Sequence, residues 1–478
     1  MAVLDHLEPK GVFHFFEELC SMPHGSGNTK QVSDWLVSFA RERGLAYYQD
    51  ELNNVIIIKE AAPGYESAEP VILQGHMDMV CEQAPDCTKD MSREGLDLAV
   101  EGDTVLARGT TLGGDDGIAV AMMLAALDDP DLGHPRLECV FTVDEETGMD
   151  GAMGLDMSML KGRRLLNLDS EVEGVFTVSC AGGNMTACTV PVQREPRGGV
   201  LLTVRVDGLL GGHSGAEIHK GRANANKLMG RLLYAVSRRA DLRLVTVNGG
   251  LKDNAIPVSS AAVISTADPS AVRALCAGME AAFRNEYAVT DPGIRVTVTE
   301  EGGGIPMDGP STRKILLLLN NCPNGIQEMS ADVAGLVQTS LNLGILTTTE
   351  PQVTASFCVR SSVDSQKRML VDRLTGLTEF LGGSVSIAGD YPGWQYRQES
   401  PLRDLLVDVF TRQYGRCPKV EAIHAGLECG LFCGKLPGLD CVSVGPDLDE
   451  IHTFRERLHI ASTQRLWALV TETLRRMK

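Results

Sequence analysis

The order of apolar and polar positions divides the chain into two textures. Within the first 180 residues, segments 13–20 and 30–43 carry apolar residues at helical spacing, and 54–59 is a β-branched run. Segments 71–75, 137–142 and 164–168 are short apolar runs, each followed by acids or histidine, which predicts buried strands. Segment 118–127 is apolar all round and too long for a strand, so it predicts a buried helix. The turn Gly113-Gly114-Asp115-Asp116-Gly117 opens it. Strands alternating with helices predict an α/β layer with a mixed, largely parallel sheet and helices on both faces.

After residue 185 the texture changes. Strands are predicted at 200–206, 242–248, 261–265 and 294–299, with helices at 224–237 and 269–287. A similar succession recurs: helix 311–321, extended segments 335–343 and 352–360, helix 365–381 and extended segment 384–389. From residue 402 the α/β texture returns, with helices at 402–414 and 462–477 and a strand at 440–444. The expected organisation is an α/β domain of residues 1–186 and 396–478. An α+β domain of residues 187–395, built of two similar halves, interrupts it.

Charge narrows the function. The chain has 63 acidic against 44 basic residues, a net charge of −19, which repels phosphate backbones and anionic lipid. No nucleic-acid and no membrane partner is expected. The longest fully apolar run, 118–127, is about half of the roughly 20 residues a membrane span needs. The 13 cysteines form no C-x-x-C pair, and the N-terminus lacks the basic start of a signal peptide, so a reduced, cytoplasmic protein is expected.

Chemistry concentrates where predicted strands end. His76 and Asp78 in Gln-Gly-His-Met-Asp lie two apart on one strand face, so the carboxylate is able to orient the imidazole, as metal-binding histidines require. Asp115 in the glycine turn is read either as a helix cap or as a ligand. Asp144-Glu145-Glu146 puts three acids after a dry strand, where they repel one another unless cations neutralise them. Asp169 ends another apolar strand, and His452 arrives in the returning segment. Ligands of open α/β sheets bind outside the carboxyl ends of the strands, where all of these converge. Two imidazoles with several carboxylates and no cysteine suit zinc or manganese in an open, catalytic site.

These five motifs, in this order, resemble the signature of the M20 metallopeptidases, most closely the aminoacyl-histidine dipeptidase branch. The resemblance runs over essentially the whole chain, including Gly-Gly-His213-Ser-Gly. It implies a zinc-peptidase type α/β catalytic domain with the inserted domain as a lid. It also implies two divalent ions per chain, zinc first, with manganese or cobalt as alternatives. Asp115 would bridge them, His76 and Asp169 would complete one shell, and Glu146 and His452 the other. Asp78 would orient His76, and Glu145 would be the general base. The resemblance further implies a cis peptide between Asp115 and Asp116. His213 would bind the oxyanion, Asn254 and Arg360 would hold the substrate, and Gly426 would offer backbone contacts. The expected function is hydrolysis of unblocked dipeptides, Xaa-His among them, with wider dipeptide tolerance. A tripeptidase, an N-acyl amino acid deacylase of the same fold and a non-catalytic metal- or peptide-binding homologue remain as alternatives, and a homodimer stays open.

Overall fold

The computed structural model describes residues 3–478. The chain divides into two compact units, one running up to Ser179 and resuming over Tyr396–Ala422 and Leu427–Lys478, the other comprising Cys180–Gln395 and Ile423–Gly426.

The first unit is built on an eight-stranded sheet. Its order is Ala46–Gln49, Val55–Lys59, Leu137–Thr142, Val71–His76, Arg164–Asn167, Asp440–Ser443, Val175–Cys180 and Lys419–Ile423. The four strands from Leu137–Thr142 to Asp440–Ser443 run parallel. Ala46–Gln49, Val55–Lys59 and Val175–Cys180 join antiparallel. The expected mixed sheet is therefore parallel at its centre, where both faces are covered, and antiparallel towards its margins. Helix Gly114–Asp128 packs on strand Val71–His76 and on helix Lys10–Cys20. Every residue from Ile118 to Leu127 is buried, as its all-round apolar character requires. The approach is close: a side chain at Gly75 would meet Asp116 Oδ2 at 2.4 Å and Ala119 Cβ at 2.7 Å, so glycine is needed there.

A second sheet of this unit has no counterpart in the sequence-based expectation. Leu448–Asp449, Arg457–His459, Thr104–Ala107 and Leu98–Glu101 pair in that order, all antiparallel. Its strands have two to four residues, too short to print an alternation. The hairpin between Leu448–Asp449 and Arg457–His459 carries His452.

The second unit is a nine-stranded sheet over one continuous apolar core. One half is the succession Val200–Asp207, helix Ala225–Ser237, Arg243–Gly249, Ser260–Thr266, helix Pro269–Glu286 and Arg295–Thr299. The other is Gly182–Pro191, helix Gly309–Asn321, Val337–Thr348, Gln352–Ser361, helix Asp364–Phe380 and Ser384–Tyr391. In both, the fourth strand lies outside the first, followed by the third and the second, and the two halves join edge to edge at Gly249 and Leu346. The second half begins with Gly182–Pro191, ahead of the first half, rather than near residue 311. Nested in this way, a repeat cannot be seen as two consecutive blocks.

Candidate metal centre

Parallel central strands place His76, the acids after Thr142 and Asp169 at one edge of the sheet. His76 is the last residue of its strand and is buried. Its Nδ1 lies 3.0 Å from the Asp78 backbone oxygen and 3.5 Å from Asp78 Oδ1. Both partners only accept, so Nδ1 carries the proton and Nε2 is left as a ligand atom. That Nε2 is 3.2 Å from Asp115 Oδ1 and 3.7 Å from Asp169 Oδ1. On the other side of the same carboxylate, Asp115 Oδ2 is 3.0 Å from His452 Nε2, which is itself 3.0 Å from Glu146 Oε1. Asp115 thus stands between two groups, His76 with Asp169 and His452 with Glu146.

These spacings also suit ligand atoms gathered around a cation. Ligand atoms about 2.0–2.1 Å from a tetrahedral zinc are about 3.3–3.4 Å apart, in the middle of the observed spread. Glu146 Oε1 is buried and makes no hydrogen bond despite its closeness to His452. Burial notwithstanding, the imidazoles of His452 and His76 hold the Asp115 carboxyl well below the usual range. His452 is driven the opposite way, up to about 10, by Asp115 and Glu146. Ligand atoms of His76, Asp115 and Glu146 lie within 4.8 Å of one another, and so do those of His76, Asp116 and Asp169. Asp116 enters the sequence reading only through the glycine turn and the expected cis peptide, not as a ligand. It is buried, and its Oδ2 accepts from the His76 backbone N–H at 3.2 Å.

The glycine turn is not a capping turn. Gly113 (φ 69°) precedes the helix, Asp115 and Asp116 depart from helical angles, their peptide is cis, and no side chain caps the end. What holds the turn is Glu456. Its buried carboxylate accepts from the backbone N–H of Leu112 (2.8 Å) and Gly113 (3.0 Å) on Oε2, and of Gly114 (2.8 Å) and Asp115 (3.3 Å) on Oε1.

Asp78 connects three segments. Besides facing His76, it accepts from Ser26 Oγ at 2.8 Å and from the Glu145 backbone N–H at 3.2 Å. Glu145 opens a short helix after Asp144, whose φ is 56°. Burial, with Asp169, Glu428 and Glu146 nearby, pushes its carboxyl up to about 9 although His76 acts the other way. In the metal-free protein this carboxyl therefore holds its proton at neutral pH, and a nearby cation would pull its pKa down and free it to act as a base.

Beneath the centre lies a polar layer that sequence reasoning missed. Glu428, fully buried, accepts from Gln74 Nε2 and from Thr142 Oγ1 (2.6 Å), and Asn167 Nδ2 donates to Gln74 Oε1 at 2.6 Å. Glu428 Oε1 has no partner, and burial pushes the carboxyl up to about 8.

The remaining candidates belong to the second unit. Strand Gly212–His213 pairs with Ala255–Ile256. His213 Nδ1 accepts from the N–H of Ala216 (2.9 Å) and Gly215 (3.2 Å), so its proton sits on Nε2, free to donate. Burial and the Arg360 charge lower its pKa, keeping the ring neutral. Asn254 is exposed, accepts from Ser214 N–H through its carbonyl, and shares with His213 the lining of a cavity of about 750 Å³. Arg360 is buried, donates from Nη1 to Tyr391 Oη at 3.2 Å and leaves Nε unpartnered. A side chain at Gly426 would touch the same Tyr391 ring at 3.0 Å, and one at Gly215 would meet both Arg360 Nε and His213 Cε1 at 3.1 Å. His213, Arg360 and Gly426 therefore gather in one region of the second unit.

Sheet and donor set together define a class: α/β proteins with a carboxylate–imidazole metal centre at the carboxyl edge of the sheet. The chain belongs to peptidase family M20/M25/M40, whose model matches residues 72–476. It is 37% identical to the cytosol non-specific dipeptidase of Escherichia coli (strain K12), over 99% of both chains. The crystal structure of aminoacylhistidine dipeptidase from Vibrio alginolyticus matches with a TM-score of 0.94 and 36% identity, over 98% of each chain. An aminopeptidase from Bacillus cereus, at 14% identity and a TM-score of 0.58 over 98% of this chain and 99% of that one, shares the fold. Among the described residues, no helix is long and apolar enough to cross a membrane.

Proposed function

We propose that the protein is a metal-dependent dipeptidase that hydrolyses unblocked dipeptides, Xaa-His among them, in the cytoplasm. The observation that carries this is the Asp115 carboxylate set between His76–Asp169 and His452–Glu146, with the raised carboxyl of Glu145 beside it. Likeness to the two dipeptidases along nearly the whole chain supports the substrate class. His76, Asp115 and Asp169 would hold one divalent ion and Asp115, Glu146 and His452 a second, zinc before manganese or cobalt on the donor set. When bound, such ions lower the pKa of water towards about 7 and polarise a carbonyl.

The side chains do the rest. Glu145 takes the proton of the attacking water and returns it to the leaving amine, a role for which the nearby divalent ions would have to bring its pKa down towards neutrality. Asp78 fixes the tautomer of His76 and, through the Glu145 N–H, the position of the base. His213 is the proposed oxyanion donor through Nε2–H. Arg360 is the proposed partner of the substrate carboxylate, since an unpartnered guanidinium N–H suits a planar anion. Asn254 and Gly426 are assigned to further substrate contacts. The test is a panel of dipeptides, tripeptides and N-acetyl amino acids assayed with added zinc or manganese. Cleavage confined to the free dipeptides supports the proposal, and cleavage confined to N-acetyl amino acids replaces it with the deacylase.

A further inference from the structure

Glu456 lies four residues beyond His452, in the same hairpin connection, and its carboxylate grips the turn that carries Asp115. The connection bends through left-handed backbone at both Glu450 (φ 49°) and His452 (φ 59°), conformations that residues with a side chain adopt only when their surroundings compel them. Within the connection, the Glu456 N–H donates to Thr453 O at 3.1 Å, and Thr453 Oγ1 donates to Glu450 O at 2.8 Å. The loop is thus closed on itself, and Glu456 fastens it to the Asp115 turn. Four backbone N–H groups converge on this one carboxylate, an arrangement that elsewhere binds external anions. Gly114 makes room for it: a side chain there would meet Leu448 Cδ2 at 2.8 Å and Glu456 Oε1 at 3.2 Å.

We propose that Glu456 is a positioning residue that sets His452 against Asp115, and so governs the ion assigned to His452, Glu146 and Asp115 more than the ion assigned to His76 and Asp169. The proposal rests on the two-ion ligand set proposed above. His76 and Asp169 reach Asp115 from the central sheet, which Glu456 does not touch, whereas His452 depends on the hairpin that Glu456 anchors.

Glu456→Gln keeps the side chain's length but can satisfy only one of the two N–H pairs, turning its own N–H₂ towards the other. The full-length variant, stripped of metal, is titrated with zinc by calorimetry, with its melting temperature recorded alongside. One ion is expected to bind as in the parent and the other about 10–100-fold more weakly, the usual effect of disturbing a group that orients a ligand. His452→Ala, in parallel, should lose the same ion. If His452→Ala keeps both ions at parental affinity, the ligand set is wrong and the proposal falls with it. If His452→Ala loses one ion while Glu456→Gln binds both normally, melting lower or not, the ligand set stands and the proposal alone is overturned. Equal weakening of both ions also overturns it. Should Glu456→Gln fail to fold, Glu456→Asp, which keeps the charge but not the reach, is read by the same outcomes.

Discussion

Replacing Glu428 by glutamine perturbs a single buried ionisation. In the metal-free protein burial pushes this carboxyl up to about 8 from an ordinary value of 4.5. The folded state therefore prefers the protonated form, so the group's contribution to stability is fully present below about pH 4.5 and is lost as pH rises through about 8. A shift of that size, at 1.36 kcal/mol per pKa unit, corresponds to a ceiling of about 5 kcal/mol. Glutamine has the shape of the neutral acid and can keep the contacts to Gln74 and Thr142 through its amide oxygen, but it never ionises. The variant should gain on the parent by up to about 1.4 kcal/mol per pH unit between about pH 5 and pH 8. Urea unfolding of both proteins across that range, followed by the fluorescence of Trp35 and Trp467 in the same unit, measures the difference. Metal must be absent, because two divalent cations nearby would pull the pKa down. A difference that stays constant with pH, or that grows in favour of the parent, would refute the claim that Glu428 is held neutral.

Other substitutions separate the proposed roles. Glu145→Gln should lower kcat by about 10²–10⁴-fold while metal analysis still finds both ions; near-normal turnover would remove Glu145 as the base. Asp78→Asn should weaken metal binding by about 10–100-fold in calorimetric titration, because the imidazole loses its anionic partner, and it should also disturb the Glu145 N–H. His213→Ala should reduce kcat more than it raises KM in steady-state assays, as expected of a donor used in the transition state, whereas a change in KM alone would make it a binding residue.

Much of the site could be read from the chain because its groups sit at the ends of apolar runs. Val71 to His76 and Arg164 to Asn167 are dry strands whose last residues deliver His76 and, two positions on, Asp169. The turn at Asp115 was marked by its glycines, although capping and ligand roles look alike until the backbone is seen. Glu456 and Glu428 gave no such signal. Glu456 is one acid between two arginines and Glu428 one acid in a short apolar stretch, and the role of each comes from partners more than 280 residues away along the chain, Leu112 to Asp115 for one and Gln74 and Thr142 for the other. The hairpin that bears His452 was missed because strands of two and three residues have no readable period. Gly182–Pro191 was missed for another reason: its partners Gln352–Ser361 and Ser384–Tyr391 lie far along the chain, and the glycines at its start read as loop.

The central claim is that ions held by His76, Asp115, Glu146, Asp169 and His452 drive cleavage of free dipeptides, and one titration addresses it directly. Metal-free protein receives zinc in steps while hydrolysis of an Xaa-His dipeptide and of its N-acetylated form is followed at each step. The account predicts no hydrolysis without metal, activity rising to a plateau at two ions per chain, and cleavage of the free dipeptide alone. Full activity in the rigorously metal-free protein, or a plateau reached with the acetylated peptide and not the free one, would contradict it.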